Sequence, residues 1–448
     1  MTKSSVEKPP YFSFENVNIG DISKYLKEHD ISDSRGRYLH WDKLKWRVKP
    51  REEAQNIWFA IKFKRRFQMK PIAITDEKQN IFTYCIPHSM EAKLHEIAKI
   101  AGGSTAVVAG TEASRQTQGQ FLVSSLLMEE AISSAQLEGA ATTRVVAKKM
   151  LEDGREPKNE DERMIVNNFL LLKKAERTCE EPLSIDMILD FHKVATQGTT
   201  ENDVIPGKFR EANDIYVDDK SGDIAYTPPS FELMPERLAK LCTFANTDHS
   251  GKNGNDFIAP VVKAIILHFM IGYEHPFRDG NGRTARALFY WYMLKNNYNL
   301  FKYVSISKLL KDNPKDYGLS YMYTETDDND LTYFIDYQLD IILKALEELK
   351  AYLANKTEEF NQAITLLSGS KFSNLLNFQQ KDIIKKSIKF PGRIFTASEI
   401  SSDYSIAENT ARNYLNSLVD YKLLLATKDG RTILYMAPND LRQRLDTK

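Results

Sequence analysis

The sequence has few cysteines, no excess of charge of either sign and no long hydrophobic run. Its three cysteines, Cys85, Cys179 and Cys242, are far apart and odd in number, which argues against a disulfide framework and a cysteine-based metal centre. Lys and Arg together number 61, as do Asp and Glu, so no polybasic character points to nucleic acid as the main partner. No apolar run approaches the roughly 20 residues that cross a bilayer, and the first residues lack a signal-peptide core. We therefore expect a cytoplasmic protein that has no membrane partner.

The clearest chemical pattern is a stretch from His275 to Arg286, which reads HPFRDGNGRTAR. Apolar residues at helical spacing lie on both sides of it, so we expect a helix, a loop and a second helix. Gly280, Asn281 and Gly282 stand where the loop enters the second helix. Backbone N–H groups and a helix N-terminus that converge in this way form an anion site.

The charged residues of this stretch suit a polyphosphate. Arg283 and Arg286 lie on one face of the second helix, where they oppose the helix dipole unless an anion is bound. Asp279 offers a hard oxygen ligand for Mg²⁺. His275 is placed to take a proton from an incoming hydroxyl.

The stretch resembles the signature of the Fic (filamentation induced by cAMP) family, HxFx[D/E]GNGRxxR, and every specified position is present. The usual chemistry of that family is transfer of AMP from ATP to a protein hydroxyl, with pyrophosphate leaving. The resemblance implies a mainly α fold, a Fic-type helical bundle with a β-hairpin flap, and it implies ATP and Mg²⁺ at the site. The roles that it implies are general base for His275, loop anchor for Phe277, magnesium ligand for Asp279, anion cradle for Gly280, Asn281 and Gly282, and β- and γ-phosphate binding for Arg283 and Arg286.

A second motif lies upstream of the loop. Apolar residues at helical spacing predict a helix over about 118–139, and its end, Ser134 to Gly139, resembles the family's inhibitory motif [S/T]xxxE[G/N]. In this reading Glu138 pairs with Arg286 and occupies the guanidinium that the γ phosphate needs. Such pairs are often bidentate, so the competition would be one for one. The alternative is a solvated helical glutamate.

Two further segments complete the predicted site. Ile215, Tyr216 and Val217 form the first strand of a predicted hairpin, whose second strand is 224–229. By resemblance this hairpin is the flap, whose exposed edge could hold a target segment by backbone pairing; the alternative is an ordinary surface hairpin. Tyr317 is the best match to a tyrosine that walls the adenine pocket in the family, and Gly318 stands where a second tyrosine is common.

We predict three regions in the chain. Residues 1–89 form a small α+β leader, which includes a hairpin of 71–74 and 80–84 and three tryptophans expected in the core, Trp41, Trp46 and Trp58. Residues 90–355 form the Fic domain with the inhibitory helix. Residues 356–448 form a linker helix and a unit that resembles a winged helix-turn-helix, with Asn409, Arg412, Asn413 and Asn416 on the polar side of its candidate recognition helix. DNA binding and protein docking are both open for this unit.

The sequence thus predicts a protein adenylyltransferase that moves AMP from ATP to a Ser, Thr or Tyr hydroxyl of a target protein and is autoinhibited through Glu138. One alternative is removal of AMP, or transfer of another nucleotidyl or phosphate-linked group, at the same site. Another is a transcriptional regulator that acts through the winged helix. The target protein, self-modification and a homodimer stay open.

Overall fold

The computed structural model describes residues 6–11, 19–102, 128–218, 224–389, 392–404, 406–429, 432–438 and 440–446. The described chain is mainly helical, as predicted, and divides into two compact units, residues 1–347 and 348–448. The leader and the predicted Fic region up to residue 347 thus belong to one unit, and the division at 89 and 355 stays a prediction. No helix of the described chain is long and apolar enough to cross a membrane.

The leader contains three helices and a β-hairpin. The elements are α1 (Ile19–Glu28), α2 (Trp41–Leu44), a 3₁₀ turn (Arg51–Glu53), α3 (Ala54–Gln68), β1 (Lys70–Thr75) and β2 (Ile81–Tyr84). The antiparallel pairing of β1 with β2 confirms the predicted hairpin. Trp58 is fully buried in a cluster between these helices, against which Trp41 packs. The prediction was wrong for Trp46, which is 59% exposed because it follows the end of α2. The Arg51 guanidinium lies 4.3 Å from the centre of its ring.

The rest of the first unit is a bundle of helices. Its elements are α4 (His88–Gly102), α5 (128–137 within the described residues), α6 (Arg144–Asp153), α7 (Glu160–Arg177), α8 (Ile185–Thr196), a 3₁₀ turn (Glu201–Asp203), β3 (Val217–Asp218), β4 (Ile224–Tyr226), a 3₁₀ turn (Phe231–Leu233), α9 (Met234–Asn246), α10 (Pro260–Glu274), α11 (Asn281–Lys295), a 3₁₀ turn (Asn299–Tyr303), α12 (Ile306–Asp312), α13 (Pro314–Thr326) and, up to residue 347, the first part of α14 (Thr332–Gly369). Local signals in the sequence set several of these ends. Ser184, for example, caps α8 by accepting the N–H of Met187 at 3.1 Å.

Helices α10 and α11 form the centre of this bundle. They pack against each other, and α7 and α8 pack against α11. Nearly every residue of both central helices is buried, which explains the continuous apolar runs on both sides of the motif. The loop between them is therefore fixed at both ends in the core. The part of the predicted inhibitory helix before residue 128 lies outside the described residues.

The second unit combines helices with a small antiparallel sheet. After α14 come α15 (Phe378–Lys389), β5 (Ile394–Phe395), α16 (Ala397–Tyr404), α17 (Glu408–Asp420), β6 (Leu425–Asp429), β7 (Thr432–Met436) and α18 (Leu441–Asp446), and the strand order is β5-β7-β6. On α17, Arg412 pairs with Glu408 at 3.1 Å, and Asn416 accepts the hydroxyl of Tyr435 at 2.8 Å. Two of the four polar side chains expected to contact a partner thus bind within the unit. The winged-helix assignment stays a prediction.

Candidate active site

The loop between α10 and α11 turns through two residues with positive φ. His275 ends α10 at φ 45°, and Gly280 precedes α11 at φ 78°. A side chain at position 280 would collide with Thr196, because its Cβ would lie 2.7 Å from the Thr196 methyl carbon. The glycine therefore supplies both the turn and the close approach.

The Asn281 side chain clamps the loop from inside. Its Oδ1 accepts the N–H of Phe277 at 2.9 Å, and its Nδ2 donates to the carbonyl of Phe277 at 2.8 Å. Phe277 is fully buried and stacks on His192 with ring centroids 3.6 Å apart. The predicted anchor role of Phe277 thus has a geometric basis, and Asn281 adds a clamp that the sequence did not indicate.

His192 fixes the loop from α8. Its Nδ1 accepts the N–H of Gly207 at 3.1 Å, so its Nε2 carries the proton and donates to the carbonyl of Asp279 at 3.0 Å. Burial lowers the pKa of His192 to about 4, so the ring stays neutral in this role.

His275 is held in the orientation of a base. Its Nδ1 lies 3.3 Å from the carbonyl of Gly272, so Nδ1 carries the proton and Nε2 keeps its lone pair. Arg210, in the stretch before β3, donates to the His275 carbonyl at 3.0 Å and its backbone N–H donates to Pro276. Burial lowers the pKa of His275 below its ordinary value, which keeps the imidazole neutral and able to accept a proton near neutral pH.

The N-terminus of α11 has the features of an anion site. Among the described residues no side chain caps it, so the N–H groups of its first turn point away from the helix. Arg283 is fully buried and fixed there. It donates to the carbonyl of Ala195 at 2.8 Å and pairs with Asp279 at 2.5 Å. Asp279 and Arg283 therefore lie together beside the helix N-terminus, as the sequence predicts.

Arg286, one turn further on, is held by the end of α5. Its Nε donates to the Ser134 hydroxyl at 2.9 Å, and its NH2 donates to the Ser134 carbonyl at 3.2 Å and to Glu138 Oε1 at 2.8 Å. The expected bidentate pair was wrong, because Ser134 occupies Nε and leaves Glu138 a single contact. The NH1 group is buried and has no partner in the described structure, which leaves one donor for a ligand.

Glu138 also lies over the first turn of α11. A Cβ added to Gly282 would come within 2.3 Å of Glu138 Oε1 and 2.9 Å of Arg286 NH1. Burial raises the pKa of Glu138, but the charges of Arg286 and Arg283 outweigh burial, so the pKa lies below its ordinary value. A carboxylate thus occupies the space at the helix N-terminus that suits an anion.

Tyr317 lies beside the same arginine, on α13. Its hydroxyl is 2.8 Å from Nε2 of His268 and 3.4 Å from the hydroxyl of Tyr321, and the charge of Arg286 acts on it. Burial lowers the pKa of His268 to about 3, so this histidine is a neutral hydrogen-bonding partner. Tyr321 was not predicted, although its spacing of four residues from Tyr317 on a helix could have indicated it.

The predicted flap is a hairpin beside the loop. In it Val217 pairs with Tyr226, and the two strands are antiparallel; residues 219–223 lie outside the described residues. Ile215 and Tyr216 precede β3, and Tyr216 is 46% exposed. The hydroxyl of Tyr226 donates to the carbonyl of Tyr273 at 2.8 Å, which ties the second strand to the end of α10.

A salt bridge joins the segment that precedes the flap to the loop. Arg278 forms two contacts of 3.1 Å with Asp214. The salt bridge therefore places the residue before Ile215 beside the loop. Sequence reasoning missed the bracing residues His192 and Arg210, and it also missed Glu130 on α5, whose buried carboxylate accepts from Ser305 and Ser307 at the start of α12.

Comparisons with known proteins agree with this geometry. Residues 182–293 match the model of the Fic/DOC family. The protein adenylyltransferase fic-1 of Caenorhabditis briggsae is 31% identical over 116 residues, which cover 26% of this chain and 20% of that protein. The protein adenylyltransferase Fic of Drosophila persimilis is 26% identical over 212 residues, covering 47% of this chain and 37% of that protein.

The fold extends the likeness beyond the matched segment. The crystal structure of a Fic family protein from Desulfovibrio desulfuricans superposes with a TM-score of 0.53 at 18% identity, covering 80% of this chain and 98% of the other. The matched segment spans only about a fifth to two fifths of the two adenylyltransferases. Residues 182–293, which contain the loop and both of its helices up to Met293, form a Fic domain.

Proposed function

We propose that this protein transfers AMP from ATP to a Ser, Thr or Tyr hydroxyl of a target protein. The observation that carries the proposal is the placement of His275, with a proton-free Nε2, at the mouth of a loop that leads into an uncapped helix N-terminus. The names of the adenylyltransferases that match this domain support it.

The ATP phosphates bind to the N-terminus of α11. Backbone N–H groups at 280–282 receive the phosphate oxygens, and Arg283 and the free NH1 of Arg286 balance their charge. Tyr317 lies beside Arg286 and serves the adenine end of the nucleotide.

Asp279 is the residue that would hold Mg²⁺. No group of three or more His, Cys, Asp or Glu side chains in the described chain could hold a metal ion by itself. Mg²⁺ nevertheless often binds through one carboxylate together with substrate phosphates and water, and the Asp279 side chain, 13% exposed beside the anion site, fits that donor set. When bound, Mg²⁺ would neutralise phosphate charge.

The target hydroxyl approaches under the flap. His275 Nε2 takes its proton as the oxygen forms a bond to the α phosphorus, and the bond from that phosphorus to the pyrophosphate oxygen breaks in line. Pyrophosphate carries away the negative charge, which the arginines and the helix N-terminus stabilise during transfer. The protein's main contributions are position and electrostatics.

Glu138 restrains this reaction in our proposal. Its carboxylate holds Arg286 and lies over Gly282, so the γ phosphate and Glu138 compete for the same space and the same guanidinium. The restraint ends when the Glu138 side chain moves away, and the loop itself need not rearrange.

Substitution of His275 tests the proposal. His275→Ala should abolish AMP incorporation from labelled ATP into proteins of a lysate while ATP affinity, measured by calorimetry, stays close to that of the wild type. His88→Ala is the matched control, since that side chain is 99% exposed and away from the loop. Undiminished labelling by His275→Ala would refute the assignment of the base.

Removal of AMP is a second candidate, favoured by one observation. Glu138 uses Oε1 to bind Arg286, and its Oε2 has no hydrogen-bond partner in the described structure, so it could orient a water toward an AMP-modified side chain. Incubation of an AMP-modified protein with the wild type and with Glu138→Ala, followed by mass spectrometry, separates the two activities. Loss of AMP that requires Glu138 favours removal.

A further inference from the structure

A polar cleft lies beside the flap, on the side of the leader. Its volume is about 690 Å³. One wall is the second strand of the flap with the residues after it, Tyr226 to Pro229; the other is α3 and the hairpin β1–β2; and its floor includes Tyr273 and the segment 325–330.

The cleft lining includes two residues of the elements that lead to the candidate active site, Tyr226 and Tyr273. Tyr273 precedes the proposed base, His275, by two residues, and Tyr226 belongs to β4 and donates to the Tyr273 carbonyl. A target segment that pairs with the flap therefore passes the mouth of this cleft. The target side chain that enters the cleft then belongs to a residue near the modified one in the target sequence.

Most charged groups in the cleft already have partners. Asp327 pairs with Lys62 at 2.7 Å, and Asp330 accepts the hydroxyl of Tyr38 at 2.7 Å. Arg65 donates to the carbonyls of Ile31 and Leu39 and to the hydroxyl of Tyr333. These contacts join the leader to the bundle. The charges of Asp327, Asp330 and Arg65 are therefore already balanced within the protein.

Glu325 differs from these groups. It lines the cleft and is partly buried, and its carboxylate makes no hydrogen bond or ion pair with any residue that the structure describes. Burial raises its pKa to about 8. The tyrosines that face it come from three elements, Tyr226 of β4, Tyr273 of α10 and Tyr321 of α13.

A carboxyl group without a partner in a low-dielectric site is unfavourable when ionised, and a cation beside it removes that cost. Four cations line the cleft, Lys62, Arg65, Arg66 and Lys78. Lys62 and Arg65 bind other groups, and no ion pair joins any of the four to Glu325 in the described structure. The Glu325 carboxylate is therefore available to a cation that a bound protein segment supplies. The flap next to it is the proposed place for a protein segment, which makes Lys or Arg the chemical class that fits.

We infer that Glu325 selects target segments in which a Lys or Arg lies at a fixed offset from the modified hydroxyl. The basic side chain enters the cleft and forms a charge-assisted contact with the Glu325 carboxylate while the flap holds the backbone. This inference rests on the proposed function, because it places the segment by means of the flap.

The test is a positional peptide library presented to the full-length protein. Short synthetic peptides with one fixed Ser, Thr or Tyr and random flanking residues are sorted in two arms, by retention on the immobilised protein and by AMP incorporation from ATP. The wild type should enrich Lys and Arg at one offset by about tenfold, the effect of one charge-assisted hydrogen bond. Glu325→Gln, which keeps the shape, should lose the enrichment in both arms.

A matched control lies at the rim of the same cleft. Asp328 is 75% exposed, so Asp328→Asn changes the charge equally and should keep the basic preference. Glu325→Lys should shift the preference to Asp and Glu, and its circular dichroism and unfolding midpoint show whether the variant folds.

The two arms separate this inference from the proposed function. Basic enrichment among retained peptides that is lost in Glu325→Gln, without AMP incorporation, supports the cleft and overturns the proposed transfer. AMP incorporation without a basic preference, or with a preference that Glu325→Gln retains, overturns the role of Glu325 and leaves the transfer intact. Absence of basic enrichment in both arms also overturns it.

Discussion

The loop from His275 to Arg286 and the Glu138 side chain that reaches it are held by different kinds of contact. The loop is fixed by its own residues and by the backbone, through the Asn281 clamp on Phe277 and the bonds from His192 and Arg210 to loop carbonyls. Glu138 reaches the loop through one ion pair between two side chains, with 23% of its own side chain exposed.

The difference indicates which part is fixed and which can be switched. Several hydrogen bonds to buried backbone groups have to break before the loop changes shape, whereas rotation of one carboxylate frees Arg286. We therefore expect substitutions in the loop to lower both activity and stability, and substitutions at Glu138 to raise activity.

The largest effect should follow from breaking the clamp. Asn281→Ala leaves the buried N–H and carbonyl of Phe277 without partners, which should lower the free energy of unfolding by roughly 1–3 kcal/mol. The displaced loop should lose AMP transfer by about 100-fold or more. Urea unfolding and incorporation of labelled AMP measure the two effects. Asn255→Ala, in an exposed loop, is the control, and near-normal transfer by Asn281→Ala would show that the clamp is dispensable.

Release of Arg286 should have the next largest effect, in the opposite direction. Glu138→Ala frees the guanidinium for the γ phosphate and should raise transfer by about tenfold, the effect of one charge-assisted contact. Because the buried arginine keeps only Ser134 as a partner, ATP should raise the melting temperature of the variant more than that of the wild type. Glu129→Ala on the same helix removes a surface pair with Arg144 and should change neither value. Equal ATP-induced shifts in Glu138→Ala and the wild type would contradict the proposed competition.

A smaller increase should follow from loosening α5. The Glu130 carboxylate accepts three hydrogen bonds from Ser305 and Ser307, and burial raises its pKa. Glu130→Gln keeps the shape but replaces one acceptor oxygen by a donor, which should cost roughly 1–3 kcal/mol of stability. The helix end that carries Glu138 should then hold Arg286 less firmly, so transfer should rise by less than in Glu138→Ala. A rise equal to or above that of Glu138→Ala would argue against this order.

The smallest effect concerns pH. Burial holds the pKa of His275 below 6.5, while the charge of Glu138 raises it in part. Protonation of the base should therefore reduce transfer only as the pH falls below 6.5. In Glu138→Ala the loss of a negative charge disfavours the imidazolium, so this acid limb should move to lower pH. Rates measured from pH 5 to 8 in both proteins test the shift, and movement to higher pH would contradict it.

The sequence predicts the loop well because the residues that shape it are neighbours in the chain. His275, Asp279 and Arg283 lie within one helix end, a turn and one helix start, so their proximity follows from local geometry. The contact between Glu138 and Arg286 joins residues far apart in sequence, and only the resemblance to a family motif indicated it. That resemblance did not predict how Ser134 and Glu138 share the guanidinium.

The bracing residues escaped sequence analysis for the same reason. His192, Arg210 and Glu130 bind elements that are distant in the chain, and each is an ordinary polar residue within its own segment. Trp46 shows the converse error. Residue type favoured burial, yet its position after a four-residue helix leaves it exposed beside Arg51.

Gly282 links the two opposing events at this site. The missing side chain leaves a gap that Glu138 fills in the structure and that the phosphates would fill during transfer. A mutation to any bulkier residue would exclude both occupants, so in the proposed mechanism a substitution at position 282 would remove the Glu138 contact and the phosphate site together. If Glu138 restrains transfer as proposed, we expect substitutions that relieve the restraint at Glu138 or on α5, and we expect the glycine to be needed in both states.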